Sequence, residues 1–417
     1  MRVLIINTSE RTGGAAIAAN RLMEALKNNG VKATMLVRDK QTPQITVAAT
    51  GAKWLMAIRF LWERLLILIA TGFNKKDIWQ VDIANAGTNI TKTQEFQQAD
   101  VIHLHWVNQG FLSLVGLKRI LNSGKRVVIT LHDMWYFTGI CHYAGDCEKY
   151  KTSCHNCPML KQNVLGVDFA ERVFKKKQKI YGNASVTFVG CSRWMRQVAE
   201  TSSLTRGHQV VDIPNAINTS LFCPFDKMAA RKKIGLPEDR KLILFGSQRI
   251  DDERKGFRFL VEACNHLQTK NPGLARQLTV VVVGINSAVV KPLVPLDVVT
   301  VDYVIDERSM VSLYNAVNLY VTPSLQDNLP NTIMEAMACG TPCVGFNVGG
   351  IPEMIDHKKT GYVAIYKDAE DFAEGIAWTL SEEHYDTLCD QSREKVLKAY
   401  SESHIARLYT EIYERKD

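Results

Sequence analysis

Residues 1–37, MRVLIINTSERTGGAAIAANRLMEALKNNGVKATMLV, hold a short apolar run, a glycine turn, an amphipathic run and a second apolar run. Val3–Asn7 has the length of a strand and ends on a polar residue. Gly13 and Gly14 follow. A helical pattern then runs from Ala16 to about Asn28, Asn29-Gly30 stops it, and Ala33–Val37 reads as the next strand. Strand, glycine turn, helix and strand in that order open a doubly wound sheet. The later runs Val101–His105, Val127–Leu131, Val186–Gly190 and Val210–Ile213 are too continuously apolar for strands with one wet face. The sheet is therefore expected to be parallel and covered on both sides.

Near Pro214 the pattern restarts. Leu242–Gly246, Leu278–Val283, Val298–Val301, Leu319–Thr322 and Pro342–Phe346 read as strands, with helices at Phe257–Gln268, Glu307–Val317 and Asn331–Cys339 between them. An α/β chain of two Rossmann-like, doubly wound domains follows: residues 1–213, residues 214–395, and a helical end, 396–417, that packs back on the first. A chain of 417 residues is long enough for two such cores.

Composition narrows the class. With 46% hydrophobic and 23% charged residues, the chain has the make-up of a globular protein, without a disordered or low-complexity tract. Residues 1–210 carry 28 Lys and Arg against 14 Asp and Glu, while the remainder is net acidic. So basic a first half suits an anionic partner such as a membrane surface or a phosphorylated lipid. Nucleic acid is not expected, because no basic run is interleaved with aromatics. The start leads into glycines rather than a cleavage site, so a cytoplasmic location and reduced cysteines are expected. Trp54–Phe73, WLMAIRFLWERLLILIATGF, is broken by Arg59, Glu63 and Arg64, and its uncharged run Leu65–Asn74 is too short to span a bilayer. It reads as an amphipathic helix lying in the membrane interface, anchored by Trp54, Trp62 and Lys75-Lys76, or else as a helix covering the sheet. The first reading makes the protein peripheral on the inner face of the cell membrane.

The chemistry is densest in residues 323–353, PSLQDNLPNTIMEAMACGTPCVGFNVGGIPE. A strand ends at Thr322, a loop carries Asp327, and a helix begins near Asn331 with Glu335 one turn inside. Unsatisfied N–H groups and the helix dipole make such a start suited to a phosphate. A carboxylate on that helix is placed to accept hydrogen bonds from ribose hydroxyls.

This stretch resembles the donor signature of family 4 glycosyltransferases, a carboxylate and a Glu separated by seven residues. Gly13-Gly14 after the first strand, Arg249 and Lys255 in GSQRIDDERKGF, the linker PNAIN and the turn GGIPE also fall where that family has them. Asp327 departs from the family's usual Glu, which bears on the sugar preferred. The resemblance implies the GT-B fold, two Rossmann-like domains facing a central cleft, and retaining, metal-independent transfer from a UDP- or GDP-linked sugar. By the same resemblance Glu335 binds the ribose and Asp327 the sugar hydroxyls. Backbone amides around Asn328, Leu329, Asn331 and Thr332 meet the sugar or diphosphate. Arg249 and Lys255 neutralise the leaving diphosphate, Gly13 and Gly14 let backbone approach the donor, and His132, in LHDMWYFTG, contacts donor sugar or acceptor. Asp133 is placed to orient His132, and His103, His105 and Trp106 are candidates for lining the acceptor pocket. No Asp-x-Asp pair occurs.

The acceptor so implied is a glycan or lipid-linked oligosaccharide of exopolysaccharide, capsule or lipopolysaccharide synthesis. Another GT-B nucleotide-sugar enzyme, epimerase-like, and a non-catalytic membrane-surface module remain as alternatives. Separately, Cys141, Cys147, Cys154 and Cys157 are spaced C-x5-C-x6-C-x2-C, with His142 and His155 beside them. They read as a structural zinc knot, with disulfides or free loop thiols as the alternatives.

Overall fold

A computed structural model of the protein describes residues 1–75, 77–161, 166–302, 304 and 306–415; Lys76 of the anchor pair and the last two residues of the helical end lie outside these. The chain divides into two compact units, Met1–Asn215 together with the segment from Ile405 on, and Ala216–His404.

Among the described residues the first unit holds β1 (Arg2–Ser9), β2 (Lys32–Asp39), β3 (Val47–Ala49), β4 (Val101–Leu104), β5 (Arg126–Leu131), β6 (Thr187–Gly190) and β7 (Gln209–Asp212). They form one sheet in the order β3-β2-β1-β4-β5-β6-β7, with every neighbouring pair parallel. The second unit holds β8 (Lys241–Arg249), β9 (Leu278–Ile285), β10 (Asp297–Val301), β11 (Leu319–Thr322), β12 (Cys343–Phe346) and β13 (Gly361–Ala364), in the order β10-β9-β8-β11-β12-β13 and again parallel. The two doubly wound sheets expected from the apolar runs are thus both present. The runs build strands because their Val, Ile and Leu side chains are buried on both faces: in β4, β6, β11 and β12 every residue is buried. Several of the helices between them start where Ser or Asp takes an otherwise unsatisfied N–H. Ser192 caps Arg193–Glu200 through the Met195 N–H, and Asp306 caps Glu307–Ala316 through the Ser309 N–H.

The helix Glu402–Glu414 crosses the boundary between the units in sequence, and from Ile405 on it belongs to the first unit. Buried polar bonds hold it there. Tyr413 Oη lies 2.7 Å from His103 Nδ1 on β4, and Tyr409 Oη lies 3.0 Å from Thr130 Oγ1 on β5. Arg126 Nη1 donates to the Ile412 carbonyl at 3.1 Å.

Candidate functional site

Strand order reverses at β1/β4 in the first unit and at β8/β11 in the second. Open α/β sheets form their ligand crevices beyond the carboxyl ends of the strands at such points. In the second unit Lys255 follows β8 and Asp327 follows β11, and the two side chains meet, Nζ to Oδ2 at 2.6 Å. Two glycines let the loops come this close. A Cβ on Gly256 (φ +70°) would lie 1.9 Å from the Pro323 carbonyl oxygen, and one on Gly349 (φ +58°) 1.8 Å from that of Asp327. The Leu325 N–H donates to the Arg254 carbonyl at 2.8 Å, which ties the same two loops by backbone. Burial pushes the Asp327 carboxyl up, yet the Lys255 ammonium and Arg254 guanidinium outweigh it and hold the group below the usual carboxylate range. The pair is therefore a half-buried carboxylate with a fixed cation.

The helix Asn331–Ala338 starts four residues beyond Asp327, and no side chain caps it. Asn328 and Leu329 are buried ahead of it, and Asn331 and Thr332 are half-buried in its first turn. Two buried tyrosines set its polar side chains. Tyr320 Oη donates to Thr332 Oγ1 at 2.8 Å, and Tyr314 Oη donates to Glu335 Oε2 at 2.7 Å. Burial and the Glu335 carboxylate raise the Tyr314 phenol well above its ordinary value, so it stays a donor. The second unit thus gathers Lys255, Asp327, the helix start and Glu335 on the loops and helix that follow two adjacent strands: a cation and a helix tip for an anion, and two carboxylates for hydroxyls. Arg249 ends β8 exposed and paired with Asp251 at 2.6 Å, not with Asp327.

In the first unit Gly13 follows β1 and precedes the helix Gly14–Asn28, which has no side-chain cap. A Cβ there would meet nothing within 4 Å, so its φ of +91°, not crowding, calls for glycine. After β4 and β5 the histidines form a buried chain. His105 Nδ1 lies 2.8 Å from His132 Nε2, and His132 Nδ1 lies 3.5 Å from Cys191 Sγ. Burial drops His132 to about 4, against the pull of Asp133, so it is a neutral imidazole.

Asp133 does not orient His132. Its Oδ2 accepts from Trp106 Nε1 at 2.8 Å and lies 2.7 Å from His142 Nδ1, while Oδ1 accepts the Trp135 N–H at 2.8 Å. Consecutive residues leaving a strand project to opposite sides, so neighbours in sequence acquire different partners. His142, paired with Asp133 and tilted against Trp106 with ring centroids 5.6 Å apart, carries no sequence sign of this role beyond being a histidine beside Cys141.

The zinc knot expected from Cys141, Cys147, Cys154 and Cys157 is not shown by the structure. Among the described residues no three of His, Cys, Asp or Glu are placed to hold a metal ion, and all four cysteines are free thiols. Burial pushes the Cys141 thiol up to about 12 and that of Cys154 up to about 11. Cys154 Sγ accepts the Gly139 N–H at 3.2 Å. The cation beside these thiols is the buried Lys177 ammonium, which donates to the carbonyls of Trp135, Thr138 (3.1 Å) and Gly139 (3.2 Å) and lies 3.6 Å from the Trp135 ring centre.

The sequence pattern described as Glycosyltransferase Family 4 matches residues 12–221, and that of Glycosyl transferases group 1 matches residues 240–382. A D-inositol 3-phosphate glycosyltransferase of Saccharomonospora viridis is 26% identical over 312 residues, 70% of this chain and 64% of its own length. An N-acetyl-alpha-D-glucosaminyl L-malate synthase of Bacillus anthracis is 35% identical over 97 residues, 23% of this chain and 26% of its own length. The matches thus span less than two thirds of these relatives. Among solved structures, sucrose-phosphate synthase of Thermosynechococcus elongatus superposes with a TM-score of 0.66 at 19% identity, over 99% of this chain and 98% of its own. HepE of Anabaena, solved in complex with UDP-glucose, gives 0.64 at 14% identity, over 99% of each chain. These two likenesses establish the two-domain fold.

Proposed function

The chain belongs to glycosyltransferase family 4, and from that premise we propose that it moves a sugar from a nucleoside-diphosphate sugar to a hydroxyl acceptor, with retention and without a metal. The observation that carries this reading is the meeting of Lys255 and Asp327 beside the uncapped start of the helix that bears Glu335. A diphosphate leaving group gains negative charge as the glycosidic bond breaks. A preset ammonium and a helix tip stabilise that charge without reorganising. Asp327 takes sugar hydroxyls and Glu335 the ribose. Gly13, Gly14, Arg249 and His132 keep their donor or acceptor roles on the family likeness alone.

The acceptor we propose is an anionic glycan or lipid-linked oligosaccharide of surface-polysaccharide synthesis, reached by a protein lying on an anionic membrane. An anionic acceptor fits the basic first half. It also fits relatives named for inositol 3-phosphate and for malate.

A thermal-shift panel of UDP-, GDP- and ADP-sugars tests the donor half, because a ligand bound to the folded state raises its melting temperature. One nucleotide class is expected to raise it, and Glu335→Gln to weaken that response roughly tenfold in concentration, the cost of one charge-assisted hydrogen bond. A panel without any response, or a variant that responds like the parent, would overturn the assignment.

Tyr314 acts one step back, through Glu335. Tyr314→Phe removes the bond to Oε2 and is expected to raise the donor KM about three- to tenfold with kcat nearly unchanged. A fall in kcat with KM unmoved would place Tyr314 elsewhere in the mechanism.

A further inference from the structure

The helix Lys53–Ala70 is built inside out. Its buried residues are Met56, Glu63, Arg64, Ile67 and Ala70, so two of its charged side chains face the protein. Arg64 Nη2 lies 2.8 Å from Asp82 Oδ2, and its guanidinium sits 5.4 Å from the Trp79 ring centre. Asp82 also accepts the N–H groups of Gln109 (2.9 Å) and Ala84 (3.1 Å). The helix is thereby pinned to the body by its polar residues. Trp54, Ile58, Leu61, Trp62 and Leu65, all on one helical stripe, are 48% to 64% exposed, and Phe73 and Trp79 continue the patch at 68% and 55%. A helix at a water-facing surface does the reverse, with its apolar stripe inward. Large contiguous apolar patches mark a surface that something covers.

Charge identifies the covering surface. Glu63 is the sole acidic residue of residues 53–75, and it is fully buried. The exposed charged residues around the patch, Lys53, Lys75 and Lys161, are all cations, and the Lys161 N–H donates to the Ala70 carbonyl at the helix end. Nearby Asp77 is half-buried and binds the Asn74 side chain. A second copy of the chain would set lysines against lysines. Anionic headgroups would meet them, and two tryptophans on the stripe suit the boundary between headgroups and acyl chains. Among the described residues no helix is long and apolar enough to cross a membrane, so this one lies in the plane.

We propose that the outward face of Lys53–Ala70, with Phe73 and Trp79, docks the protein on a bilayer that contains anionic lipid, and that Arg64 and Asp82 hold the helix in that pose. The proposal deepens the membrane part of the function proposed above and rests on that part alone.

Co-sedimentation with phosphatidylcholine vesicles, with and without about 30% phosphatidylglycerol, tests it. The parent is expected to bind the anionic vesicles, and less so in high salt. The double variant Ile58→Glu/Leu61→Glu is expected to bind them tenfold or more weakly, on the order of the loss for two buried apolar side chains. Both positions are exposed, so its melting temperature stays that of the parent. Lys53→Ser and Lys75→Ser each weaken anionic binding about fivefold and leave the neutral vesicles unaffected. A parent that ignores every vesicle, or a double variant that binds as the parent does, overturns the proposal. So does a parent that is dimeric by light scattering while the double variant is monomeric, which would make the face a contact between copies. The donor-induced melting shift, read on the same variants, stays intact if only docking is lost, so failure here is separable from failure of the transferase reading.

Discussion

Lys255→Ala is expected to lower kcat by about a hundred- to a thousandfold, with a much smaller change in apparent acceptor affinity. The substitution acts twice. It removes the ammonium that meets the charge growing on the leaving diphosphate. It also strands the Asp327 carboxylate, whose ionised form depends on Lys255 at 2.6 Å within a mostly buried pocket. Without that partner only the Arg254 guanidinium and the Asn328 N–H still oppose burial, so the pKa of the group rises and its grip on sugar hydroxyls weakens. Steady-state kinetics with saturating donor, and a melting curve to show that the fold survives, check both effects. A variant within threefold of the parent kcat would remove Lys255 from the site. In that case the helix tip alone would have to hold the anion.

Acid is expected to destabilise the first unit steeply between about pH 6.5 and pH 5. His103 is pushed down to about 3 and His132 to about 4, in both cases by burial first. Their neighbours supply little compensation. His103 is flanked by Tyr409, Tyr413, Thr130 and His105, and His132 by His105, Cys191 and the Asp133 carboxylate. Both folded-state values lie below the unfolded one, so the unfolded chain binds more protons throughout the interval. Stability therefore falls as pH falls through it. At about pH 5 the two groups together cost about 4 kcal/mol, on the order of 10 °C in melting temperature for a unit of this size. Thermal melts across that range check the slope. His105 is pushed well below its ordinary value by the same burial, so His103→Gln should remove about a third of the slope, whatever it does to stability at neutral pH. A melting temperature that stays level from pH 7 to pH 5 would mean that these imidazoles are hydrated or already charged.

The parts of this protein that local chemistry dictates were open to reading. Strands such as β1 and β9 carry continuous runs of Val, Ile and Leu, and the glycine turn after β1 announces itself by residue type alone. The donor motif is legible for the same reason, since Asp327 and Glu335 sit on one loop and its helix. The short edge strands β3 and β13 were not legible. At three and four residues they exist only through pairing with β2 and β12. Arg249 shows the limit from the other side: its place in the motif is plain, yet its partner is Asp251.

The sequence by itself determined the two parallel sheets, the order of their helices and the loops that carry the chemistry. Apolar periodicity, caps and turns act over a few residues and are written in order along the chain. Tertiary structure alone decided that Asp133 serves His142 and Trp106 rather than its neighbour His132. It also decided that the Lys177 ammonium lies beside the buried thiols, and that the helix Lys53–Ala70 turns Glu63 and Arg64 inward. Each of those outcomes is set by which distant groups burial forces together, and the free energy of a buried polar group depends on its partner, a quantity that no local pattern encodes.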